Sequence, residues 1–134
     1  MKKLLSIILV IAVVLSLCTT VFANYQLYDI GGVTEDSLLF IDENIATCIS
    51  RACWTSTNVA SFKITQSLEK QGFLWIWSKY AGEWTKTLTQ TGNLYCKVYS
   101  LPKGKYRVKS VFLITLVDGT TQTFTLYSAE RTVS

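Results

Sequence analysis

The stretch Tyr106-Arg107-Val108-Lys109-Ser110-Val111-Phe112-Leu113-Ile114-Thr115-Leu116 decides the fold class. Tyr106, Val108, Phe112, Ile114 and Leu116 fall at even positions, while Arg107, Lys109 and Thr115 fall between them. Successive side chains of an extended chain point to opposite faces, so this stretch reads as a strand with one buried and one solvated face. On its C-terminal side Asp118-Gly119 is a strong hairpin-turn signal leading into a further strand. On its N-terminal side Leu101-Pro102-Lys103-Gly104 brings the chain in through a Pro/Gly turn.

The same grammar extends outward. Phe62, Ile64 and Leu68 alternate with Lys63 and Thr65, and Leu94, Cys96 and Val98 share one side of another segment. Gly72, Gly82, Gly92, Gly104 and Gly119 are spaced 10, 10, 12 and 15 residues apart, the interval of turns in an all-β domain. From Arg51 onward, 35 of 84 residues are Thr, Val, Ile, Tyr, Phe or Trp, which suit a pleated, half-buried surface. No segment there carries a helical apolar stripe of competing length. The prediction is seven short antiparallel strands: Arg51–Ser56, Val59–Leu68, Phe73–Tyr80, Trp84–Thr91, Leu94–Ser100, Tyr106–Leu116 and Thr121–Ser128. Ala81-Gly82 is read as the hairpin turn between the third and fourth. The expected architecture is a β-sandwich, with a small β-barrel as the alternative.

The chain before this domain is of a different kind. Residues 1–23 hold 17 apolar residues behind Lys2-Lys3 and end in Val21-Phe22-Ala23, the pattern of a secretory signal cleaved between Ala23 and Asn24. An uncleaved membrane anchor over residues 4–23 is the alternative. Leu15-Ser16-Leu17-Cys18 resembles a lipobox, but Leu17 is too large for the residue before the cysteine. Residues 24–50 carry Asp29, Glu35, Asp36, Asp42 and Glu43 and no Lys or Arg, a charge of −5. They read as an acidic, poorly ordered leader in which Ser37–Ile41 is able to dock as an edge strand. Residues 51–134 carry 11 basic and four acidic residues, a charge of +7. The division is therefore signal 1–23, leader 24–50 and β domain 51–134.

The chain has no His, which removes His-based triads, His general bases and His-ligated metals. No Gly-x-Ser-x-Gly, phosphate loop or Cys-x-x-Cys occurs, and the expectation is a non-catalytic protein without a cofactor or metal site. Outside the signal stand Cys48, Cys53 and Cys96. A bridge between Cys53 and Cys96 is the preferred pairing and Cys48 the alternative partner, with three unpaired thiols as the competing outcome.

Two further groups are candidates for binding. Trp84 and Tyr80, beside the expected turn, are the candidate aromatic surface, whereas Trp75 and Trp77 are read chiefly as core. Lys97, Lys103, Lys105, Arg107 and Lys109 form a basic run without an intervening acid, suited to an anionic polymer or to an ordinary solvated strand face. Nucleic acid is not expected as a partner, and membrane contact is expected only through the signal before cleavage.

The residues Leu101-Pro102-Lys103-Gly104-Lys105-Tyr106-Arg107-Val108 and Asp118-Gly119-Thr120-Thr121 resemble the last strands of fibronectin type III-like and immunoglobulin-like sandwiches. With Gly82-Glu83-Trp84 and the Gly104-x-Tyr106-Arg107-Val108 strand, the chain is still more similar to small secreted β-sandwich domains of unknown function from Clostridia-type Gram-positive bacteria. The likeness runs from about Asp36 to the C-terminus and rests on turn and strand grammar. Where that pattern carries a His after the Tyr-Arg-Val, this chain has Phe112. The resemblance implies an immunoglobulin/fibronectin-like sandwich and supplies no activity. The expected function is that of a secreted binding module acting at the cell surface or in the medium, on an anionic or carbohydrate wall polymer or on a protein. A secreted antimicrobial or toxin-like effector is the alternative.

Overall fold

The computed structural model describes residues 32–134. The signal, its Ala23–Asn24 cleavage site and the first part of the acidic leader lie outside the described residues. Eight strands follow in order: β1 (Val33–Asp42), β2 (Ile45–Trp54), β3 (Val59–Gln71), β4 (Trp77–Leu88), β5 (Gly92–Val98), β6 (Gly104–Leu116), β7 (Thr121–Tyr127) and β8 (Arg131–Val133). They form two antiparallel sheets, one ordered β1-β2-β5 and the other β4-β3-β6-β7, with β8 continuing the row of β7 along β6. The fold is an all-β sandwich, and the sheets do not close into a barrel.

The alternation read in the sequence sets the two faces. Tyr106, Val108, Phe112 and Ile114 of β6 are buried, as are Phe62, Ile64 and Leu68 of β3. Removing each such side chain from water contributes about 2 kcal/mol, before the entropy cost of ordering it. At the entry to β6 the Tyr106 hydroxyl donates to the Pro102 carbonyl oxygen at 2.6 Å. This bond, from a Tyr near the start of the sixth strand back to the preceding corner, has the form of a tyrosine corner.

The core is not continuous. One cluster holds Leu39, Cys48, Leu68, Tyr106 and Val108, and the other holds Phe62, Ile64, Leu88, Phe112 and Ile114. Between them lies a layer of buried polar residues. Gln66 Nε2 donates to Ser50 Oγ at 2.6 Å, Ser50 and Ser110 hydroxyls meet at 2.7 Å, and Ser110 donates to Ser37 Oγ at 2.7 Å. Ser37 in turn points its hydroxyl to the Val108 carbonyl at 3.4 Å. Four strands from both sheets thereby share one hydrogen-bonded seam.

Three expectations need correction. Residues 33–50 are not a loose leader: Val33–Asp42 is β1, and Ile45 onward is β2, paired through ten and seven positions with its neighbours. Asp36 sits directly opposite Arg51 and binds its guanidinium at 2.7 Å, so an acid of the expected leader is part of the sheet. The acids dominate the composition of this segment, but they fall on exposed or half-exposed positions, while Leu39, Ala46, Cys48 and Ser50 fill the inner face. The edge position expected for Ser37–Ile41 is where β1 lies.

The third and fourth predicted strands are one strand. Ala81-Gly82 is not a hairpin turn; β4 runs through it, and the register against β3 shifts around Leu68. Gly82 adopts φ +79°, and a Cβ there would run into the Trp84 ring. A left-handed glycine inside a paired strand makes a bulge, and turn and bulge ask for the same residue. The true connection from β3 to β4 is earlier, where Phe73–Ile76 forms a tight turn with left-handed backbone at Leu74 and Trp75 in place of the expected strand start.

Candidate functional site

The outer face of the five-stranded sheet carries the most organised group of polar and aromatic side chains. Glu69 of β3 pairs in register with Lys79 of β4 on one side and Arg107 of β6 on the other. Arg107 Nε donates to Glu69 Oε2 at 2.6 Å, and Glu69 is 8% exposed. The guanidinium carbon of Arg107 lies 4.3 Å from the centre of the Trp77 ring and 4.0 Å from that of Tyr127. A planar cation fits between two aromatic faces, and each contact contributes on the order of 1 kcal/mol at such a half-exposed site. Arg107 is thus held by three partners, and it fixes Trp77 in turn.

A shallow cleft of about 350 Å³ lies along this face. Trp77 forms part of its wall, with Thr65 and Ser67 of β3 and the Ser78 segment of β4. The charged residues are Glu69, Glu83, Lys79 and Lys109. Lys79 Nζ donates to Glu83 Oε2 at 2.6 Å. This hydrogen bond first, and the lysine charge second, hold the Glu83 carboxyl below its ordinary pKa. Both groups are exposed, so the pair adds little to stability. Adding Arg107, the two carboxylates and three cations nearly cancel. The cleft offers an aromatic wall, the hydroxyls of Thr65 and Ser67, two ion pairs and one lysine, Lys109, outside them: hydrogen-bonding capacity without a strong field.

The candidate residues read from the sequence divide between this face and elsewhere. Arg107 and Lys109 belong to it. Lys97 does not: it is opposite Thr47 on β5, in the other sheet. Lys103 lies in the turn before β6, and Lys105 faces Glu130 at 3.4 Å. The expected basic run is therefore split over two sheets and a turn, and two of its members are neutralised by acids distant in sequence. Trp84 is not a surface platform. It packs half-buried against the core cluster of Phe62 and Phe112, turned inward by the bulge at Gly82. Tyr80 is 41% exposed and lies edge-on to Tyr106 at 5.6 Å, outside the cleft. Trp75 and Trp77 do not fill the core either: Trp75 is 76% exposed in the β3–β4 turn, and Trp77 is on the outer face.

The cysteines are placed against the preferred pairing. Cys48 and Cys96 stand directly opposite each other in register on the inner side of β2 and β5, whereas Cys53 alternates to the outer side of β2. A Cys53–Cys96 bridge would have to pass through the sheet, and all three cysteines are free thiols. Burial, and secondarily the neighbouring Cys96, push the Cys48 thiol up to about 12. A thiol so protected from ionisation is a poor nucleophile. Among the described residues no three His, Cys, Asp or Glu side chains gather at one point.

Sequence reasoning missed Glu69, Trp77 and Tyr127 around Arg107, and Thr65, Ser67, Lys79 and Glu83 of the cleft. The alternation placing Lys63 and Thr65 outside on the second predicted strand continues through Ser67 to Glu69, and that signal was sufficient to find it. The pairing of Glu69 with Arg107, 38 residues apart, had no local signal. Compared with protein-family models, with curated proteins and with solved structures, the chain finds no match.

Proposed function

We propose that the chain is a secreted, non-catalytic binding module that takes a carbohydrate polymer of the cell envelope into the cleft on the outer face of its five-stranded sheet. The observation that carries this reading is the composition of the cleft: Trp77 in the wall, Thr65 and Ser67 hydroxyls beside it, and its charges other than Lys109 held in two ion pairs, Lys79 with Glu83 and Arg107 with Glu69. Sugar rings present an apolar face to an aromatic ring and hydroxyls to hydrogen-bonding groups around it. A surplus of a single positive charge, on Lys109, favours a neutral carbohydrate over an anionic polymer, which requires a broad unpaired basic surface. The signal pattern of residues 1–23 supports the extracellular setting.

Co-sedimentation with purified wall polysaccharide tests this. Retention should be competed by soluble oligosaccharide released from the same polymer and should persist in raised salt. A second reading, an effector acting on foreign envelopes, is favoured by one observation, the exposed apolar turn at Phe73–Ile76. Growth inhibition of neighbouring bacteria by the purified protein, without retention on the producer's own wall, would select it.

A further inference from the structure

The turn between β3 and β4 is built to hold apolar side chains in solvent. Phe73, Leu74, Trp75 and Ile76 are 86%, 63%, 76% and 63% exposed. The turn is closed at its base by Gly72 N donating to the Ile76 carbonyl at 2.8 Å, and Ile76 N donates to the Phe73 carbonyl at 3.3 Å. Its shape is fixed at a cost, because Leu74 and Trp75 both adopt left-handed backbone angles, φ 55° and 60°. Large apolar residues rarely adopt that region, where Gly, Asn or Asp would do so with less strain. None of the turn's residues is buried. Four adjacent large apolar residues on a strained, closed turn form a patch that monomeric domains ordinarily avoid.

The charge around the turn decides what it fits. Lys70 lies three residues before it on β3, with its ammonium 5.8 Å from the centre of the Tyr106 ring and 6.0 Å from that of Tyr80, and Lys103 lies in the turn before β6, at the same end of the sheet. Neither belongs to an ion pair among the described residues. The nearby acids on this sheet are engaged, Glu69 by Arg107 and Glu130 by Lys105. Asp42 ends β1 and Glu43 stands in the β1–β2 turn of the other sheet, which meets the turn before β6 through Leu101 N donating to the Asn44 carbonyl at 3.0 Å. An apolar tip with two lysines outside any ion pair on its own sheet matches a hydrocarbon boundary beneath anionic headgroups. Trp and Phe are residues that settle at that boundary, where one part of the ring is apolar and the indole N–H remains wet.

We propose that Phe73–Ile76 is a membrane-docking tip that enters the interface of a bilayer bearing anionic lipids, with Lys70 and Lys103 meeting the headgroups. Four side chains on a short turn reach only the headgroup and upper acyl region, so the contact is reversible. It is independent of the cleft on the sheet face.

The test uses the full chain and the fluorescence of its tryptophans. All four (Trp54, Trp75, Trp77 and Trp84) lie in the β domain, so a segment near the N-terminus cannot produce the signal. Vesicles of phosphatidylcholine with phosphatidylglycerol, carrying brominated acyl chains, should quench and blue-shift the emission. The Trp75→Phe variant should remain bound but lose most of that change. Phe73→Ser with Trp75→Ser should weaken binding roughly tenfold or more per residue. Lys70→Gln and Lys103→Gln should each weaken it about fivefold at low salt and have no effect on pure phosphatidylcholine. Emission that is unchanged while the chain sediments with vesicles would overturn the proposal, because another segment then makes the contact. Protection of Trp75 that requires an envelope protein, or that rises with the chain's own concentration without lipid, would overturn it as well and assign the tip to a protein partner or a second copy.

Discussion

Ser50 and Ser110 bring their hydroxyls to 2.7 Å at the centre of the sandwich, one from each sheet. With Ser110 donating to Ser37 and Gln66 donating to Ser50, the proton of each group points the same way along the seam, from β3 through β2 and β6 to β1. Hydrogen bonds aligned in series polarise one another, and in a buried site each unmade bond leaves a desolvated group behind. The seam also fixes the relative position of the sheets, since an apolar core alone would tolerate a slip.

Ser110→Ala should therefore cost about 1–3 kcal/mol, because Ser50 and Ser37 each lose a partner in a dry site. Gln66→Leu should cost less, under about 1 kcal/mol, because it also removes Oε1, a buried acceptor that has no partner. Urea unfolding of both variants gives the comparison. The reverse order would contradict a chain of bonds running through Ser110.

Tyr106→Phe removes only the hydroxyl that donates to Pro102 and keeps the edge-on contact with Tyr80. The expected loss is about 1 kcal/mol by urea unfolding, the worth of one hydrogen bond. A loss above about 3 kcal/mol would mean that the corner controls more of the sandwich than the turn before β6.

Stability should fall at alkaline pH through Cys48. Its thiol has a pKa of about 12 in the folded chain against 9.0 for an exposed thiol, so the unfolded chain ionises first. The folded state then holds the extra proton, and the stabilisation is complete below about pH 9 and lost as pH rises towards 12. Across that window the loss is on the order of 4 kcal/mol. Cys96 and Tyr106, both raised chiefly by burial, act in the same direction. Unfolding midpoints from neutral to alkaline pH measure the slope, which Cys48→Ala should reduce. In the native protein Cys48 should also be the last of the three described thiols to alkylate; a Cys53–Cys96 bridge would contradict their placement on opposite faces.

What the sequence made legible follows from what is local. The faces of β3, β5 and β6 and the Asp118-Gly119 turn were readable because period-2 alternation and turn chemistry act over a few residues. β1 and most of β2 were not, because five acids and two glycines in residues 24–50 suggested a solvated segment, and only the partner strand shows that Leu39, Ala46, Cys48 and Ser50 share an inner face. Gly82 misled for a specific reason: a bulge and a hairpin both need positive φ. Half of the site was within reach, since Arg107 and Lys109 were already assigned to an outer face. Its other half, Glu69 and the two rings around Arg107, exists only once β3, β4 and β7 are placed beside β6.

Arg107→Ala should destabilise by about 2–4 kcal/mol, because it strands the largely buried Glu69 carboxylate and releases Trp77 and Tyr127. Arg107→Lys keeps the charge without the planar stack and should cost about half as much. Combining Arg107→Ala with Glu69→Gln should recover part of the loss, since the two residues share one interaction. Full additivity in that double-mutant cycle would contradict the pairing.

The central claim is that the cleft beside Trp77 is the ligand site, and equilibrium binding of wild type and Trp77→Ala to purified wall polysaccharide tests it most directly. Trp77→Ala should weaken binding roughly tenfold or more while still unfolding cooperatively, and raised salt should change wild-type binding little. Undiminished binding by Trp77→Ala, or wild-type binding abolished by salt, would contradict the claim.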